Sequence, residues 1–151
     1  MAVLYSSLRL LHFAAIILWV GGGFSVPVVA DIRRTLALGS EHGPALHARL
    51  VTTTRLVVPS AVVALLTGVA LIQFHGGFSA VPSRFHVALG LTLLMFLLGG
   101  ALTNPTINVL SRALVSGDHI VAQRAARKLI RCLRIEDSLR LAILVLMVLP
   151  L

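Results

Sequence analysis

The sequence predicts an all-α integral membrane protein, a four-helix bundle, and three observations lead to this class. The chain is 58% hydrophobic and only 12% charged, whereas soluble globular proteins contain about 25% charged residues. Residues 10–30, 56–74 and 85–110 carry no charge, and each run reaches the roughly 20 apolar residues that a spanning helix needs. The basic residues are concentrated in two of the segments between the apolar runs.

We expect one membrane domain over residues 1–151, with spans at about residues 8–30, 56–75, 85–108 and 135–151. The fourth span is the least regular, because it carries Glu136, Asp137 and Arg140 near its start. Glu136 and Arg140 lie four residues apart, so they can pair on one helix face. The long side chain of Arg140 can also extend toward the lipid headgroups.

The basic segments, residues 31–55 and 111–134, contain helix signals of their own. A turn is predicted from Gly39 to Pro44, followed by a helix that runs from Pro44 into the second span. Asp118 is expected to cap a further helix, which continues from His119 into the fourth span.

The distribution of arginine and lysine predicts the orientation. Apart from Arg9 and Arg84, the arginines and the lysine fall in the segments 31–55 and 111–134 or near the start of the fourth span. Cytoplasmic loops of membrane proteins carry such an excess. We therefore expect these segments inside, both termini outside, and an up-down-up-down, multi-pass topology in a bacterial inner membrane. The net charge of +8 then indicates contact with lipid headgroups and not with nucleic acid.

Three histidines, His12, His75 and His86, fall near the outer ends of the predicted spans. Ionisable residues in a membrane span are costly and indicate function. Two imidazoles at matched depth on different helices can ligate one haem iron from opposite faces. We expect His12 and His86 to form this pair, and the sequence leaves open whether His75 competes as a ligand.

Two arginines and a tryptophan accompany these histidines. Arg9 lies three residues before His12, and Arg84 lies two residues before His86, so both arginines are candidates to bind the haem propionates. Trp19 follows His12 by one heptad and shares its helix face. The alternative interpretation is that the histidines are ordinary interfacial residues, that the arginines anchor helix ends to phosphates, and that Trp19 is core.

The first span resembles a known family. His12, Trp19, Gly21-Gly22, Phe24 and Pro27 match the first-helix pattern of the HemJ-type protoporphyrinogen oxidases and their CopD-like relatives. Weaker similarity continues at Pro59, Gly68 and Phe85-His86. The resemblance implies a four-helix membrane protein that binds haem b and oxidises protoporphyrinogen to protoporphyrin.

Two positions depart from the family pattern. Val28 stands where the family usually has arginine after the first-helix proline, and Ala88 stands where it usually has lysine after the third-helix histidine. These basic residues are linked to activity in the family. Their absence weakens the oxidase assignment more than the haem assignment, since a relative can keep the cofactor or only the scaffold.

The sequence therefore predicts a membrane haem b protein with a redox function, in which His12 and His86 bind the iron. The alternative is a non-catalytic subunit of a larger respiratory, photosynthetic or other complex; a homo-oligomer is also compatible with the small-residue helix faces. Transport is disfavoured, because proton and cation paths need buried carboxylates and Glu136 and Asp137 are expected at the inner edge beside arginines.

Overall fold

A computed structural model describes residues 2–38 and 40–148, and all regular structure in these ranges is helical. This confirms the all-α class. Gly39, the start of the predicted turn, and residues 149–151, the end of the predicted fourth span, lie outside the described residues. The side chains of Ala2, Leu38 and Ser40 also lie outside the description.

In the described ranges, six α-helices form four rods. The helices are α1 (Ala2–Gly23), α2 (Val26–Leu38), α3 (Gly43–Phe74), α4 (Ser83–Leu98), α5 (Asn104–Ser116) and α6 (His119–Val148). A π-helical segment, Gly99–Thr103, joins α4 to α5, and short 3-10 turns occupy Ser40–His42 and Phe78–Ala80. Helices α1 and α2 form the first rod, and α3 is the second. Helix α4, the π-helical segment and α5 form the third rod, and α6 is the fourth.

Three stretches in the described ranges are long and apolar enough to cross a membrane: Val3–Ala37, Gly43–Phe74 and Ser83–Ser116. The helix α3 has 32 residues and is therefore about 48 Å long, which exceeds the roughly 30 Å hydrocarbon core of a bilayer. The basic segments 31–55 and 111–134 are largely helical, so the helices continue beyond the apolar runs.

The rod α6 carries Glu136, Asp137 and Arg140 on the face that packs against the other rods. Glu136 is 7% exposed and Arg140 is 4% exposed. The side chains that α6 exposes between residues 135 and 148 are apolar apart from one serine: Ile135, Ser138, Leu141, Val145 and Val148. The expectation that Arg140 extends to the headgroups is therefore wrong, because its side chain points into the bundle.

Local capping follows the sequence signals. Pro44 lies in the first turn of α3, where its missing N–H has no helical partner to lose. Gly117 ends α5 in the left-handed conformation, and the carboxylate of Asp118 accepts a hydrogen bond from the Val121 N–H at 3.0 Å. The predicted cap at Asp118 and the unbroken helix from His119 are confirmed.

Two apolar clusters form the core. One joins α2, α5, the start of α3 and the start of α6 around Ile32, Leu110 and Leu129. The other joins α1, α4, the second half of α3 and the end of α6 around Trp19 and Ala88. The bundle therefore has two packed halves, and the cavities described below lie in and beside the second half.

Candidate cofactor cavity

The helices α1 and α3 run antiparallel, and two polar contacts fix their register. The Tyr5 hydroxyl lies 3.4 Å from Nε2 of His75, and Nδ1 of His12 lies 2.9 Å from Oγ1 of Thr67. His12 is therefore level with Thr67, and His75 lies about 12 Å further along α3, because an α-helix rises about 1.5 Å per residue. His12 and His75 do not share one depth, contrary to the expectation from their positions at span ends.

The ring of His12 is held in one orientation by α3. The Thr67 hydroxyl has one hydrogen, which it donates to its own helix at the Val63 carbonyl, 2.6 Å away. Thr67 Oγ1 can therefore only accept from Nδ1–H of His12, and a neutral imidazole with this tautomer has a free lone pair on Nε2. A methyl group on Gly68 would lie 3.1 Å from Cε1 of His12, so this glycine lets the ring approach the helix.

A cavity of about 630 Å³ lies beside this ring. Side chains from α1, α3, α4 and α6 line it, and most of them are apolar. We call it the His12 cavity; its polar and aromatic lining includes Tyr5, Arg9, His12, Trp19, His75 and Arg84. The cavity is therefore a mostly apolar chamber with two imidazoles and two guanidinium groups on its wall.

Four of the five residues that the sequence proposed for cofactor binding line this chamber: Arg9, His12, Trp19 and Arg84. Spacing explains the first three, since residues three and seven positions apart share a helix face. His86 is not part of the lining.

His86 lies on another face of α4. Its side chain is exposed, and its ring centroid lies 5.8 Å from that of Phe78. The α4 residues that line the cavity are Arg84, Phe85, Leu89 and Thr92. Residues two positions apart on a helix point in different directions, so a cavity-facing Arg84 turns His86 away. The structure does not bring His86 together with His12.

His75, whose role the sequence left open, does line the His12 cavity. Its Nδ1 lies 2.9 Å from the carbonyl oxygen of Leu71, to which it donates. The Nε2 of His75 is then the acceptor that faces the Tyr5 hydroxyl. This imidazole sits at the end of the cavity, beside the last turn of α3.

A second polar site was missed by the sequence reasoning, which placed its residues at the membrane edge. Arg140 lies 3.3 Å from Glu136 and 2.9 Å from Asp137, and its side chain is 4% exposed. The predicted pairing of Glu136 with Arg140 is confirmed. The sequence did not predict that this ion pair lies in the interior, where it places two carboxylates and a guanidinium inside the bundle.

The break between α1 and α2 supplies partners for this site. Pro27 has no N–H, so the carbonyl of Gly23 lacks the donor that would continue the helix; Arg140 donates to that carbonyl instead, at 2.5 Å. At the same break the backbone N–H and the hydroxyl of Ser25 donate to Asp137, at 3.2 Å and 2.5 Å. The sequence shows the glycine and the proline that interrupt the helix, but it does not show that Asp137 and Arg140 bind the backbone groups at the interruption.

The π-helical segment Gly99–Thr103 supplies the remaining contact. Pro105, two residues after this segment, cannot donate to the helical ladder, and π-helical turns are frequent at functional sites. The hydroxyl of Thr103 donates to Glu136 at 2.6 Å. Irregular backbone inside a membrane bundle is tolerated where it is buried in protein or lines a cavity.

Such a cavity, of about 310 Å³, lies at this level. We call it the Arg140 cavity; its polar lining includes Trp19, Ser25, Thr103, Asn104, Glu136 and Arg140. Trp19 lines both cavities and is 4% exposed. Its indole therefore lies between the two chambers.

Within residues 2–38 and 40–148, no group of three or more His, Cys, Asp or Glu side chains is arranged to hold a metal ion. No protein-family model, curated protein or solved structure matches the chain.

Proposed function

We propose that this chain is a four-helix membrane protein that binds haem b in the His12 cavity, with Nε2 of His12 as an axial ligand. The observation that carries the proposal is the orientation of His12. Its Nδ1–H is committed to Thr67, which leaves Nε2 free in a chamber that Arg9 and Arg84 also line. Metal-binding histidines are typically held in this way through their second nitrogen.

The size and chemistry of the chamber suit a porphyrin. Its volume of about 630 Å³ falls within the roughly 300–1,000 Å³ of cofactor pockets, which are mostly apolar with a few polar groups. The porphyrin nitrogens already ligate the iron, so the protein needs to supply only one or two axial side chains. Arg9 and Arg84 would bind the propionates, and Trp19 would pack against the macrocycle.

In this proposal the haem supplies one-electron chemistry, and the protein controls it through the ligand and through burial. The proposed function is haem binding and electron transfer, without the oxidation of protoporphyrinogen. Val28 is 6% exposed and Ala88 is fully buried. The positions where the resembling family usually carries basic residues are therefore apolar core in this chain.

We further propose that all four rods cross a bacterial inner membrane up-down-up-down, with both termini outside. By the positive-inside rule, the arginines and the lysine of segments 31–55 and 111–134 support a cytoplasmic location for these segments. The fourth rod can cross because Glu136, Asp137 and Arg140 bind one another, which lowers the cost of placing charges among lipid tails.

Absorbance spectra of the purified protein in mild detergent test the proposal. We expect a haem Soret band in the wild-type protein and its loss in His12→Ala. His86→Ala is the matched control, because His86 is exposed and outside the cavity lining, and it should keep the band. A colourless wild-type protein, or a band that survives in His12→Ala, would reject the assignment.

A further inference from the structure

The Arg140 cavity holds two buried N–H groups that have no acceptor. Nε1 of Trp19 and Nε of Arg140 make no hydrogen bond with any described residue. Both residues are 4% exposed, and both line this cavity. A buried donor without a partner is unfavourable and calls for an explanation. Both side chains that carry these donors therefore border the space that an occupant of the cavity would fill.

The charges around the cavity already have partners. The carboxylate of Glu136 accepts from Thr103 on one oxygen and from Arg140 on the other. Each oxygen of Asp137 also accepts, one from Arg140 and both from Ser25. Since every carboxylate oxygen has a donor, the cluster does not call for a metal cation. Since two carboxylates face the one guanidinium, an anionic occupant would be repelled.

The occupant indicated by these contacts is neutral and brings acceptor oxygens. The rest of the lining is mostly apolar, with side chains such as Val57, Met95 and Phe96. Two lining residues on different rods, Val58 and Gly100, are also exposed on the outside of the bundle. The cavity thus reaches the surface between α3 and the π-helical segment, where the surroundings would be lipid.

We propose that the Arg140 cavity binds the headgroup of a membrane-soluble quinone. A quinone is neutral and apolar, and it carries two carbonyl oxygens, which matches the two free donors on Trp19 and Arg140. A lipid ester carbonyl shares this chemistry but brings a charged headgroup with it. The volume of about 310 Å³ is at the lower end for a ligand pocket and suits a single substituted ring.

Saturable binding of a short-chain benzoquinone to the full-length protein in lipid nanodiscs tests this proposal. Flow dialysis measures the bound quinone, and empty nanodiscs of the same lipid give the baseline for partition into the bilayer. We expect about one saturable site per chain above that baseline. If the site is occupied by lipid carbonyl or by water alone, only the linear partition will be seen, and the proposal fails.

A matched pair of substitutions assigns the binding to this cavity. Ala61 and Ala64 are each 4% exposed on α3, but Ala61 lines the Arg140 cavity and Ala64 lines the His12 cavity. Ala61→Leu should weaken quinone binding at least ten-fold, whereas Ala64→Leu should leave it unchanged. Equal affinities in the two variants would contradict the location.

Two further variants keep the test decisive if Ala61→Leu does not fold. Val58→Phe narrows the opening at a position that is 44% exposed, so the added ring has room outside the core, and it should also weaken binding. Trp19→Phe removes one donor and keeps an aromatic ring; the loss of one neutral hydrogen bond corresponds to roughly five-fold weaker binding. Quinone affinity equal to that of the wild type in both variants would overturn the proposal.

Haem content, read from the Soret band of the same samples, separates this proposal from the preceding one. The quinone site does not require haem. Quinone binding in a colourless protein would support the Arg140 cavity and reject the His12 assignment. A coloured protein without saturable quinone binding would support haem binding and reject the quinone site in the Arg140 cavity.

Discussion

At the scale of single residues, the proposed haem binding in the His12 cavity depends on how one imidazole is held. Thr67 fixes its tautomer through a 2.9 Å hydrogen bond, and Gly68 leaves room for the ring beside α3. Neither neighbour would touch the iron. Their effect on a bound haem would be through the direction and basicity of Nε2.

Thr67→Val should reduce haem affinity about 10- to 100-fold, the usual effect of removing the partner that orients a metal-binding histidine. The matched control is Thr92→Val. Thr92 is also buried and lines the same cavity, but its hydroxyl donates to the Ala88 carbonyl of its own helix. Haem titration followed at the Soret band measures both. A similar haem affinity in the two variants would show that the hydrogen bond from His12 to Thr67 does not contribute to haem binding.

Helical spacing alone predicted part of this cavity. Arg9, His12 and Trp19 lie three and seven positions apart on one helix, so a single face brings them together. Arg84 and His86 are two positions apart, and only one of them can face a given cavity. The choice depends on how α4 packs against α1, α3 and α6, which local sequence does not determine.

At the scale of elements, the broken first rod and the fourth rod depend on each other. Gly23 and Pro27 interrupt the first rod, and Asp137 and Arg140 of α6 bind the groups that the break exposes. The sequence shows the proline and the charges separately. Hydropathy placed the charges at the membrane edge because it scores each residue alone and not the partners that a buried charge finds.

Gly23→Ala should destabilise the protein by about 1–3 kcal/mol, the usual cost of overpacking. A methyl group at Gly23 would lie 3.0 Å from the Arg140 guanidinium, whereas one at Gly21 has no atom within 4 Å. Gly21→Ala, two positions away, is therefore the control and should be neutral or slightly stabilising, since alanine favours helix. Unfolding free energies in mixed micelles compare the two. If both substitutions have the same effect, the close contact at Gly23 does not matter to stability.

At the scale of the whole molecule, the sequence predicted four rods and their apolar character, but the full lengths of only two of them, α3 and α6. The rods continue beyond the apolar runs because the basic segments fold as helices with a core of their own around Ile32 and Leu129. The helix signals at Pro44 and Asp118 predicted the basic extensions of α3 and α6, whereas the helical extensions of the first and third rods were not predicted. The orientation of the bundle in the membrane is a separate prediction.

Single-cysteine labelling tests that orientation. In a Cys132→Ser background, which removes the only cysteine, Ser79→Cys and Ser116→Cys place thiols at exposed positions. A membrane-impermeant maleimide should label Ser79→Cys in intact spheroplasts, because the proposed topology places the turn after α3 outside. Ser116→Cys should react only after permeabilisation. The opposite pattern would invert the proposed topology.

The most direct measurement of the central claim is chemical rescue of the proposed axial ligand, His12. His12→Gly removes the imidazole and leaves a space beside Thr67 and Gly68, where free imidazole can bind. We predict that His12→Gly lacks the Soret band of the wild-type protein and that added imidazole restores it in a saturable way. A His12→Gly protein that binds haem with the wild-type spectrum before imidazole is added would contradict the claim that His12 is the ligand.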